Sequence, residues 1–397
     1  MVDIDVLTPD ADGGIEFLAA DSEPYHTARV LLRHRLQPVR VVESPIVDGR
    51  VRVRIPTDLA LTEPRTPAER PPVSVVLCTR DRPEQLADAL ESVLALDYPE
   101  FEVVVVDNAA RTDATKSVVE GFGDDRVRRV AEPVPGLSTA RNTGLRAARH
   151  DVVAYTDDDV VVDPHWLLGI ARGFAVGPDV SCVSGLVPSG ELRTAAQAYF
   201  DQRVSWSDSL RPRVFHISEP PPDLPLFPFQ PGRFGTGANF AVRRGRILEI
   251  GGFDEALGAG TAAQGGEDLD LFFRVLAAGD TLVTEPSAIV WHRHRSDNDA
   301  LLSQARGYGL GLGAWLTKVS IDRAHRRLAA RVVRRRLKTS LRVGLDYGSV
   351  MAPPSEFRDD VPASVGRAEV LAVLGGPRAL WRGRRQVARN PGSAGRP

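Results

Sequence analysis

Apolar runs that alternate with helical patterns constrain the fold of this chain most strongly. "VSVVLC" at residues 73–78 and "FEVVVVDN" at residues 101–108 are rich in β-branched residues. Such runs are typical of strands buried on both faces of a parallel sheet. Between them, "EQLADALESVLAL" places its apolar residues on one helical face. The alternation continues through "RVRRVAE", "TARNTGLRAARH" and "DVVAYTDDD". We therefore predict an α/β fold with right-handed crossovers and a mostly parallel, Rossmann-like central sheet.

The pattern divides the chain into three predicted parts. Residues 1–70 contain two or three possible short strands and end in a charged, proline-rich segment typical of a linker. Residues 71–297 carry the strand–helix alternation, interrupted at residues 187–235 by a proline-rich segment that we expect to be an irregular lid or binding loop. Residues 298–397 are predicted to be a basic, helical extension with a frayed tail.

Composition argues against several other classes of protein. The net charge of −2, with 26% charged residues, gives no general case for nucleic-acid binding. Cys78 and Cys182 are the only cysteines, so we expect no disulfide framework and a reducing environment. The first residues lack the pattern of a secretory signal, and no apolar run reaches the roughly 20 residues that span a bilayer. We therefore expect a cytoplasmic chain that binds no nucleic acid.

The segment Asp157–Asp159, here called the acidic segment, places three consecutive carboxylates directly after a predicted strand. Carboxylates at positions i and i+2 of a turn can share a divalent cation, and Mn²⁺ or Mg²⁺ then keeps open positions for phosphate oxygens. A solvated acidic turn without a metal is the alternative. Because ligands of parallel sheets bind beyond the carboxyl ends of the strands, Thr79, Arg80 and Asp107 should share this rim.

Two acids, Glu267 and Asp268, begin a predicted helix behind two glycines in "GGEDLDLF". A helix N-terminus favours ionised acids, and such a carboxylate could accept the proton of an attacking hydroxyl. Ordinary helix-start acids are the alternative. Gly237 and Asn239, in "GTGANF", are candidates for the acceptor site because small residues permit close approach, although an ordinary turn fits the same letters.

Taken in order, these motifs resemble those of bacterial family 2 glycosyltransferases, which have the GT-A fold. The motifs are "SVVLCTRDRPEQLADALESVL", "EVVVVDNAARTDAT", "GLSTARNTGLRAA", "YTDDDVVVDPHW", "GTGANFAVRR", "GGFDEALG" and "GGEDLDLFFRVLAAG". They cover roughly residues 71–297. The resemblance implies a hexosyltransferase-type enzyme. It would move a sugar from a nucleotide-diphospho-sugar donor to an acceptor hydroxyl in one displacement, with inversion.

The resemblance also implies roles for individual residues. Those implied to bind the nucleotide are Thr79, Arg80, Asp107, Arg141 and Asp157. The implied metal ligands are Asp157, Asp159 and His292, with Asp158 as the spacer. His294 competes with His292 because alternation along a strand puts both on one face. A turn aspartate and a surface salt bridge are the alternatives for Asp107 and Arg141.

On the acceptor side, the resemblance implies that Asp268 is the general base and that Glu267 binds the acceptor. The acceptor itself stays open among saccharides, lipid-linked molecules and small molecules. The basic helices predicted after residue 320 fit a solvated helical cap on the catalytic domain; contact with an anionic membrane surface from the cytoplasmic side is the alternative.

Two alternative functions share this architecture. A sugar nucleotidyltransferase typically has a glycine-rich loop with a basic residue after its first strand, where this chain has "TRDRP". A catalytically inactive sugar-nucleotide-binding protein would have no need of the carboxylates retained here. A nucleotide-dependent oxidoreductase would also show a parallel sheet, but its first turn should carry Gly-x-Gly-x-x-Gly, which is missing here.

Overall fold

The N-terminal part forms its own five-stranded sheet. The structure, a computed structural model, describes residues 1–5, 13–18, 25–59, 61, 63, 67, 69–204, 209–335, 360–362 and 364–390. The strands are β1 (Val2–Asp3), β2 (Gly14–Leu18), β3 (Thr27–His34), β4 (Gln37–Val47) and β5 (Arg50–Arg54). Their order is β1-β3-β4-β5-β2. The sequence predicted two or three strands. Strand β1 was not predicted because it is too short to show a pattern. Strand β2 was not predicted either; it pairs with β5, which is distant from it in the sequence.

A larger, mostly parallel sheet forms the centre of the molecule, as predicted. Its strands are β6 (Val73–Thr79), β7 (Phe101–Asn108), β8 (Val127–Glu132), β9 (Val152–Thr156), β10 (Val160–Val162), β11 (Val180–Leu186), β12 (Arg213–Phe215), β13 (Asn239–Arg243) and β14 (Thr281–His292). The order is β10-β14-β11-β13-β9-β6-β7-β8, with β12 paired to β14. Strands β6 to β9 are parallel, as are β11 and β14, whereas β10, β12 and β13 run antiparallel to their neighbours.

Helices cover both faces of this sheet because its strands are apolar on both sides. The helices of this part are α1 (Pro83–Leu94), α2 (Ala114–Phe122), α3 (Leu137–Ala147), α4 (Trp166–Phe174), α5 (Ala195–Arg203), α6 (Arg244–Glu249) and α7 (Glu267–Ala277). On one face Val75 and Val103 belong to the core that includes α1 and α4. Their strand neighbours Val76 and Val104 belong to the opposite core, with α3 and α7.

The segment 187–235, expected to be irregular, contains helix α5 and strand β12. Helix α5 begins with a capping box, in which the Thr194 side chain accepts from the Gln197 backbone N–H and the Gln197 side chain reaches back. This Thr-x-x-Gln pattern is a recognised helix-start signal that the sequence reasoning overlooked.

The part after residue 298 is helical where it is described. Its helices are α8 (Asn298–Ile321), α9 (Arg323–Arg335), α10 (Ser364–Val373) and α11 (Gly376–Arg389). Helix α11 replaces the frayed tail that was expected, because its Ala379 and Leu380 are buried against α8 and the neighbouring loop. Residues 336–359 and 391–397 of the predicted extension lie outside the described residues. In the part of the chain that the structure describes, no helix combines the length and the apolarity needed to cross a membrane.

The N-terminal sheet is fixed to the central part by ion pairs and a small apolar cluster. Arg33 of β3 is 8% exposed and contacts both carboxylate oxygens of Asp163, at 3.0 and 3.1 Å. Leu31 packs with Leu186 and Ile289. The N-terminal unit therefore lies against the strand end that follows the acidic segment. Whether the chain divides at residues 70 and 297 stays a prediction.

Candidate active site

The ends of parallel strands bring several predicted residues to one edge of the central sheet. Thr79, the last residue of β6, pairs in register with Asp107 of β7. Strand β9 lies on the other side of β6 and ends at Thr156, directly before the acidic segment. Strand β13 starts at Asn239 opposite Thr156, so the residues before it reach the same edge.

Asp158, the middle residue of the acidic segment, is held in place by hydrogen bonds from the protein. Asp158 is 6% exposed and accepts hydrogen bonds from the Thr79 hydroxyl and from Arg82, both at 2.7 Å. Arg82 also lies 3.3 Å from Asp159. Sequence reasoning treated Asp158 as a spacer and missed Arg82. Nothing in "TRDRP" distinguishes Arg82 from Arg80, which the structure leaves exposed.

Arg141, on α3, connects the acidic segment to the acids of α7. Its guanidinium lies 3.0 Å from Glu267, 3.4 Å from Asp157 and 2.9 Å from the Gly237 carbonyl oxygen. The side chain is only 2% exposed. Buried charges of this kind require partners, because an isolated one loses its hydration without compensation. Because the guanidinium is buried, the alternative of a surface salt bridge is excluded.

The carboxylates around Arg141 have raised pKa values, because the single guanidinium does not fully offset their burial and mutual repulsion. Burial raises the pKa of Asp157 to about 7; Arg141 opposes this shift, and the neighbouring Asp159 adds to it. Burial, followed by the charge of Asp268, also raises the pKa of Glu267. A bound cation would relieve both effects, because it replaces lost hydration and offsets the mutual repulsion.

Asp268 lies in the first turn of α7 and is partly exposed, unlike its neighbour Glu267. One oxygen of Asp268 accepts the Gly237 backbone N–H at 2.9 Å, and the other accepts the Leu269 N–H at 2.8 Å. Gly237 thus touches Arg141 through its carbonyl and Asp268 through its N–H. A Cβ on Gly237 would come within 2.9 Å of the Arg141 guanidinium, so this close approach needs glycine.

Helix α8 supports the loop that carries Glu267 and Asp268. Gly266 precedes α7 with φ of 86°, and a Cβ there would lie 2.6 Å from the carbonyl oxygen of Gly311 on α8. A Cβ on Gly311 would meet the Gly265 backbone at the same 2.6 Å. Sequence reasoning missed this contact, although the glycine spacing in "GYGLGLGAW" was a visible signal of close helix packing.

Asp107 offers one oxygen to a ligand. Its Oδ2 accepts a hydrogen bond from Arg129 on β8 at 2.8 Å. Its Oδ1 is buried and has no hydrogen-bond partner among the residues that the structure describes. Such an atom is unusual in a folded protein, since buried polar atoms are nearly always paired. Asp107 is therefore suited to accept a hydrogen bond from a bound molecule.

His292 faces the acidic segment and His294 turns away from it. Nε2 of His292 lies 3.4 Å from Oδ1 of Asp159, and this carboxylate oxygen accepts no hydrogen bond within the described part of the chain. Burial lowers the pKa of His292 and lowers that of His294 to about 4, so both rings are neutral near pH 7. His294 instead contacts the Ser189 hydroxyl at 2.7 Å.

These donor atoms suit a divalent cation. Two ligand atoms at right angles on Mn²⁺ or Mg²⁺, each about 2.1 Å from the ion, are about 3 Å apart, close to the observed Asp159–His292 separation. Within the described residues, however, no three His, Cys, Asp or Glu side chains already form a metal-binding group. Asp157 points to Arg141, so a third protein ligand would require a change in its orientation.

Asn239 is not available to an acceptor. The residue is fully buried, and its side-chain oxygen accepts from the Trp166 indole N–H at 2.8 Å. Its amide nitrogen donates to the carbonyl oxygens of Leu186 and Ala288. Asn239 therefore joins three strands beneath the site, and the expected acceptor contact is replaced by a structural role.

Sequence comparison identifies the family. The model "Glycosyl transferase family 2" matches residues 74–245. Succinoglycan biosynthesis protein ExoM of Rhizobium meliloti is 30% identical over 259 residues, which are 64% of this chain and 72% of that protein. The chain therefore belongs to glycosyl transferase family 2. The predictions of this family and of its GT-A fold are confirmed.

Other similar proteins cover a smaller share of their own length. Glucosyl-dolichyl phosphate glucuronosyltransferase of Haloferax volcanii is 31% identical over 193 residues, 47% of this chain and 57% of that protein. Pre-mycofactocin glycosyltransferase of Mycobacterium tuberculosis is 28% identical over 279 residues, 66% of this chain and 54% of that protein. The chain thus spans little more than half of these two relatives.

A solved structure with a comparable shape is mannosyltransferase PcManGT from Pyrobaculum calidifontis in complex with GDP-Man and Mn²⁺. It is 21% identical, covers 83% of this chain and 78% of that chain, and has a TM-score of 0.48.

Proposed function

We propose that this chain transfers a sugar from a nucleotide-diphospho-sugar to an acceptor hydroxyl, with inversion at the anomeric carbon. The observation that carries the proposal is the buried Arg141. It contacts Asp157 on the donor side and Glu267 on the acceptor side, while Gly237 links it to Asp268. Family membership supports the reaction class, and this connection supports placing donor and acceptor chemistry in one site.

On the donor side, we assign nucleotide contacts to Thr79, Arg80, Asp107, Arg141 and Asp157. The unpaired Oδ1 of Asp107 is suited to accept an N–H from the nucleotide base. Thr79 orders the acidic segment through Asp158. Arg80 is exposed at the same rim, where its charge favours an approaching diphosphate.

We propose that Asp159 and His292 hold a divalent cation, Mn²⁺ or Mg²⁺, with Asp157 as a further ligand. The support is the pair of facing ligand atoms, one a buried carboxylate oxygen without a hydrogen bond. When bound, such an ion shields the negative charge of the donor diphosphate. Arg82 and Arg141 add fixed positive charge on the protein side of the acidic segment.

Asp268 is the proposed general base. Its carboxylate accepts the proton of the attacking hydroxyl as that oxygen bonds to the anomeric carbon, while the bond to the diphosphate oxygen breaks and the nucleoside diphosphate leaves with the electron pair. Backbone N–H groups fix Asp268 without removing its access to solvent. Glu267, held by Arg141, and Gly237 line the proposed acceptor side.

The acceptor is a saccharide, a lipid-linked molecule or a small molecule. The names of the relatives refer to a dolichyl phosphate derivative, to pre-mycofactocin and to succinoglycan. These differ in class, so the proposal for this chain extends only to a hydroxyl-bearing acceptor.

We also propose that the chain works in the cytoplasm and contacts the inner membrane surface through its C-terminal helices. At the end of α10, Leu371 and Leu374 are 66% and 78% exposed, and Trp381 on α11 is 52% exposed. Exposed arginines of α11 accompany them: Arg378, Arg382, Arg384, Arg385 and Arg389. Apolar side chains flanked by arginines favour binding to anionic lipid.

Vesicle sedimentation tests the membrane contact. The chain should bind phosphatidylcholine vesicles that contain phosphatidylglycerol, and Leu371→Ser with Leu374→Ser should weaken this binding. Leu18→Ser with Val47→Ser is the matched control, because those residues of the N-terminal sheet are 72% and 61% exposed. Equal loss in both pairs would refute a specific role for α10 and α11.

A donor panel tests the catalytic proposal. Release of nucleoside diphosphate from nucleotide sugars, with and without Mn²⁺, should identify a donor whose turnover needs the metal. Asp268→Asn should retain donor and Mn²⁺ binding but lose transfer, whereas Asp299→Asn, an acid in the first turn of α8, should retain activity. Retention of the donor's anomeric configuration in the product, or full turnover by Asp268→Asn, would overturn the mechanism. Pyrophosphate release instead would indicate a nucleotidyltransferase, and binding without turnover an inactive sugar-nucleotide-binding protein.

A further inference from the structure

A series of consecutive hydrogen bonds, here called the hydrogen-bond series, runs from His292 away from the acidic segment. His292 Nδ1 lies 3.0 Å from His294 Nδ1, and His294 Nε2 lies 2.7 Å from the Ser189 hydroxyl oxygen. Ser189 in turn donates its hydroxyl hydrogen to Oδ1 of Asp201 on α5. The proposed function uses only His292. The other three members of the hydrogen-bond series, His294, Ser189 and Asp201, have no role in it.

Backbone pairing holds Ser189 beside the two histidines. Ser189 forms a parallel β-bridge with His292. The His292 N–H donates to the Pro188 carbonyl at 3.1 Å, and the Gly190 N–H donates to the His292 carbonyl at 2.7 Å. The hydroxyl therefore occupies a defined place beside His292, the last residue of β14.

Helix α5 and the N-terminal sheet hold Asp201, the last residue of the hydrogen-bond series, in place. Gln197 donates from its side-chain amide to the His294 carbonyl at 3.1 Å, and Asp201 lies one helical turn further along α5. The second oxygen of Asp201 accepts from Arg29 of β3 at 2.6 Å. Its side chain is 11% exposed, so the carboxylate is enclosed between α5 and β3.

The direction of each hydrogen bond follows from the carboxylate. A carboxylate only accepts, so the Ser189 hydrogen points to Asp201 and the Ser189 oxygen must accept from His294 Nε2. A neutral His294 ring with its hydrogen on Nε2 has no hydrogen on Nδ1, which therefore accepts from Nδ1 of His292. His292 then carries no hydrogen on Nε2, the atom that faces Asp159. Both rings are neutral in this arrangement, and only the nitrogen atom that carries the hydrogen is specified.

The Asp159 contact agrees with this tautomer. Nε2 of His292 lies 3.4 Å from Oδ1 of Asp159, and this oxygen receives no hydrogen bond from the described residues, so a ring nitrogen without hydrogen is compatible with the contact. Two acceptor atoms that face each other across this distance repel, unless a cation lies between them.

We propose that Ser189 and Asp201 are positioning residues that fix His292 in the tautomer able to bind a divalent cation through Nε2. The proposal rests on the proposed function only for the identity of that cation. Hydrogen-bond partners of metal-binding histidines typically change metal affinity by about 10- to 100-fold when they are removed.

Mn²⁺ binding to the full chain, followed by electron paramagnetic resonance of the free ion, tests the effect on affinity. Ser189→Ala should raise the Kd for Mn²⁺ by about tenfold or more. Ser189→Thr keeps the hydroxyl and should therefore bind Mn²⁺ with the Kd of the wild type. Ser74→Ala is the matched control, because Ser74, which is fully buried, likewise donates to a carboxylate, that of Glu102, at the opposite end of β6. A Kd unchanged in Ser189→Ala, or raised equally in Ser74→Ala, would overturn the proposal.

Nitrogen-15 spectra of histidine-labelled, metal-free protein report the tautomers directly. His292→Gln and His294→Gln identify the two rings. In the wild type, His292 should carry hydrogen on Nδ1 and His294 on Nε2, and Ser189→Ala and Asp201→Ala should shift both rings towards the opposite tautomers. A wild-type His292 with hydrogen on Nε2 would overturn the proposal. Wild-type protein that shows the stated tautomers but binds no Mn²⁺ would instead refute the metal site of the proposed function.

Discussion

Replacing Arg141 by methionine removes the central positive charge of the candidate active site while it keeps much of the side-chain length. The guanidinium is 2% exposed and lies within 3.4 Å of both Glu267 and Asp157. Its loss leaves the buried carboxylate of Glu267 and the partly exposed carboxylate of Asp157 near each other without a positive charge between them. Loss of one partner from a buried ion pair costs about 3–5 kcal/mol. At about 2–4 °C for each kcal/mol in a domain of this size, we expect Tm to fall by roughly 10 °C.

Thermal unfolding by circular dichroism provides the assay, and Arg82→Met is its matched control. Arg82 also contacts two carboxylates, but its side chain is 33% exposed, so water can replace part of the lost interaction and the fall in Tm should be smaller. In the double variant Arg141→Met with Glu267→Gln, the second change should recover part of the lost Tm. Equal losses in Arg141→Met and Arg82→Met, or simple addition in the double variant, would refute the electrostatic reasoning.

Three other changes test separate parts of the site. Gly311→Ala should lower Tm and transfer rate because its Cβ would press on the Gly265 backbone, whereas Gly121→Ala, in an open position on α2, should raise stability by about 0.5–1 kcal/mol. The pKa of Asp157 is raised to about 7 in the folded chain; protonation therefore stabilises the fold. Metal-free Tm should fall as pH rises from about 4 through 7, and added Mn²⁺ should raise Tm more at pH 8 than at pH 5. Asp107→Asn should weaken nucleoside diphosphate binding, measured by calorimetry, by about tenfold, and unchanged affinity would remove Asp107 from the base contact.

The parts of the fold that depend on local pattern could be predicted from the sequence. β-branched runs predicted β6 and β7, and the parallel order of these strands brought Thr79 and Asp107 to one edge. The acidic segment followed β9 as expected. These predictions succeeded because a strand's burial and its end are encoded by adjacent residues.

The contacts that set individual roles could not be predicted in this way. Asn239 and Arg82 lie in motifs that were noticed, yet their partners come from distant segments: Trp166 for Asn239, and Asp158 for Arg82. The same holds for the α8 glycines that support Gly266. Spacing along one segment gives no information about which distant backbone packs against it.

The elements outside the central sheet determine the shape of the candidate site. The N-terminal sheet holds Asp163, just beyond the acidic segment, through Arg33, and holds α5 through Arg29. Helix α8 holds the loop before α7 at Gly266. Since loops at strand ends are otherwise the most mobile parts of an α/β fold, these contacts restrict the acidic segment and the proposed base from opposite sides. Changes in the flanking parts should therefore alter metal and acceptor affinity as well as stability.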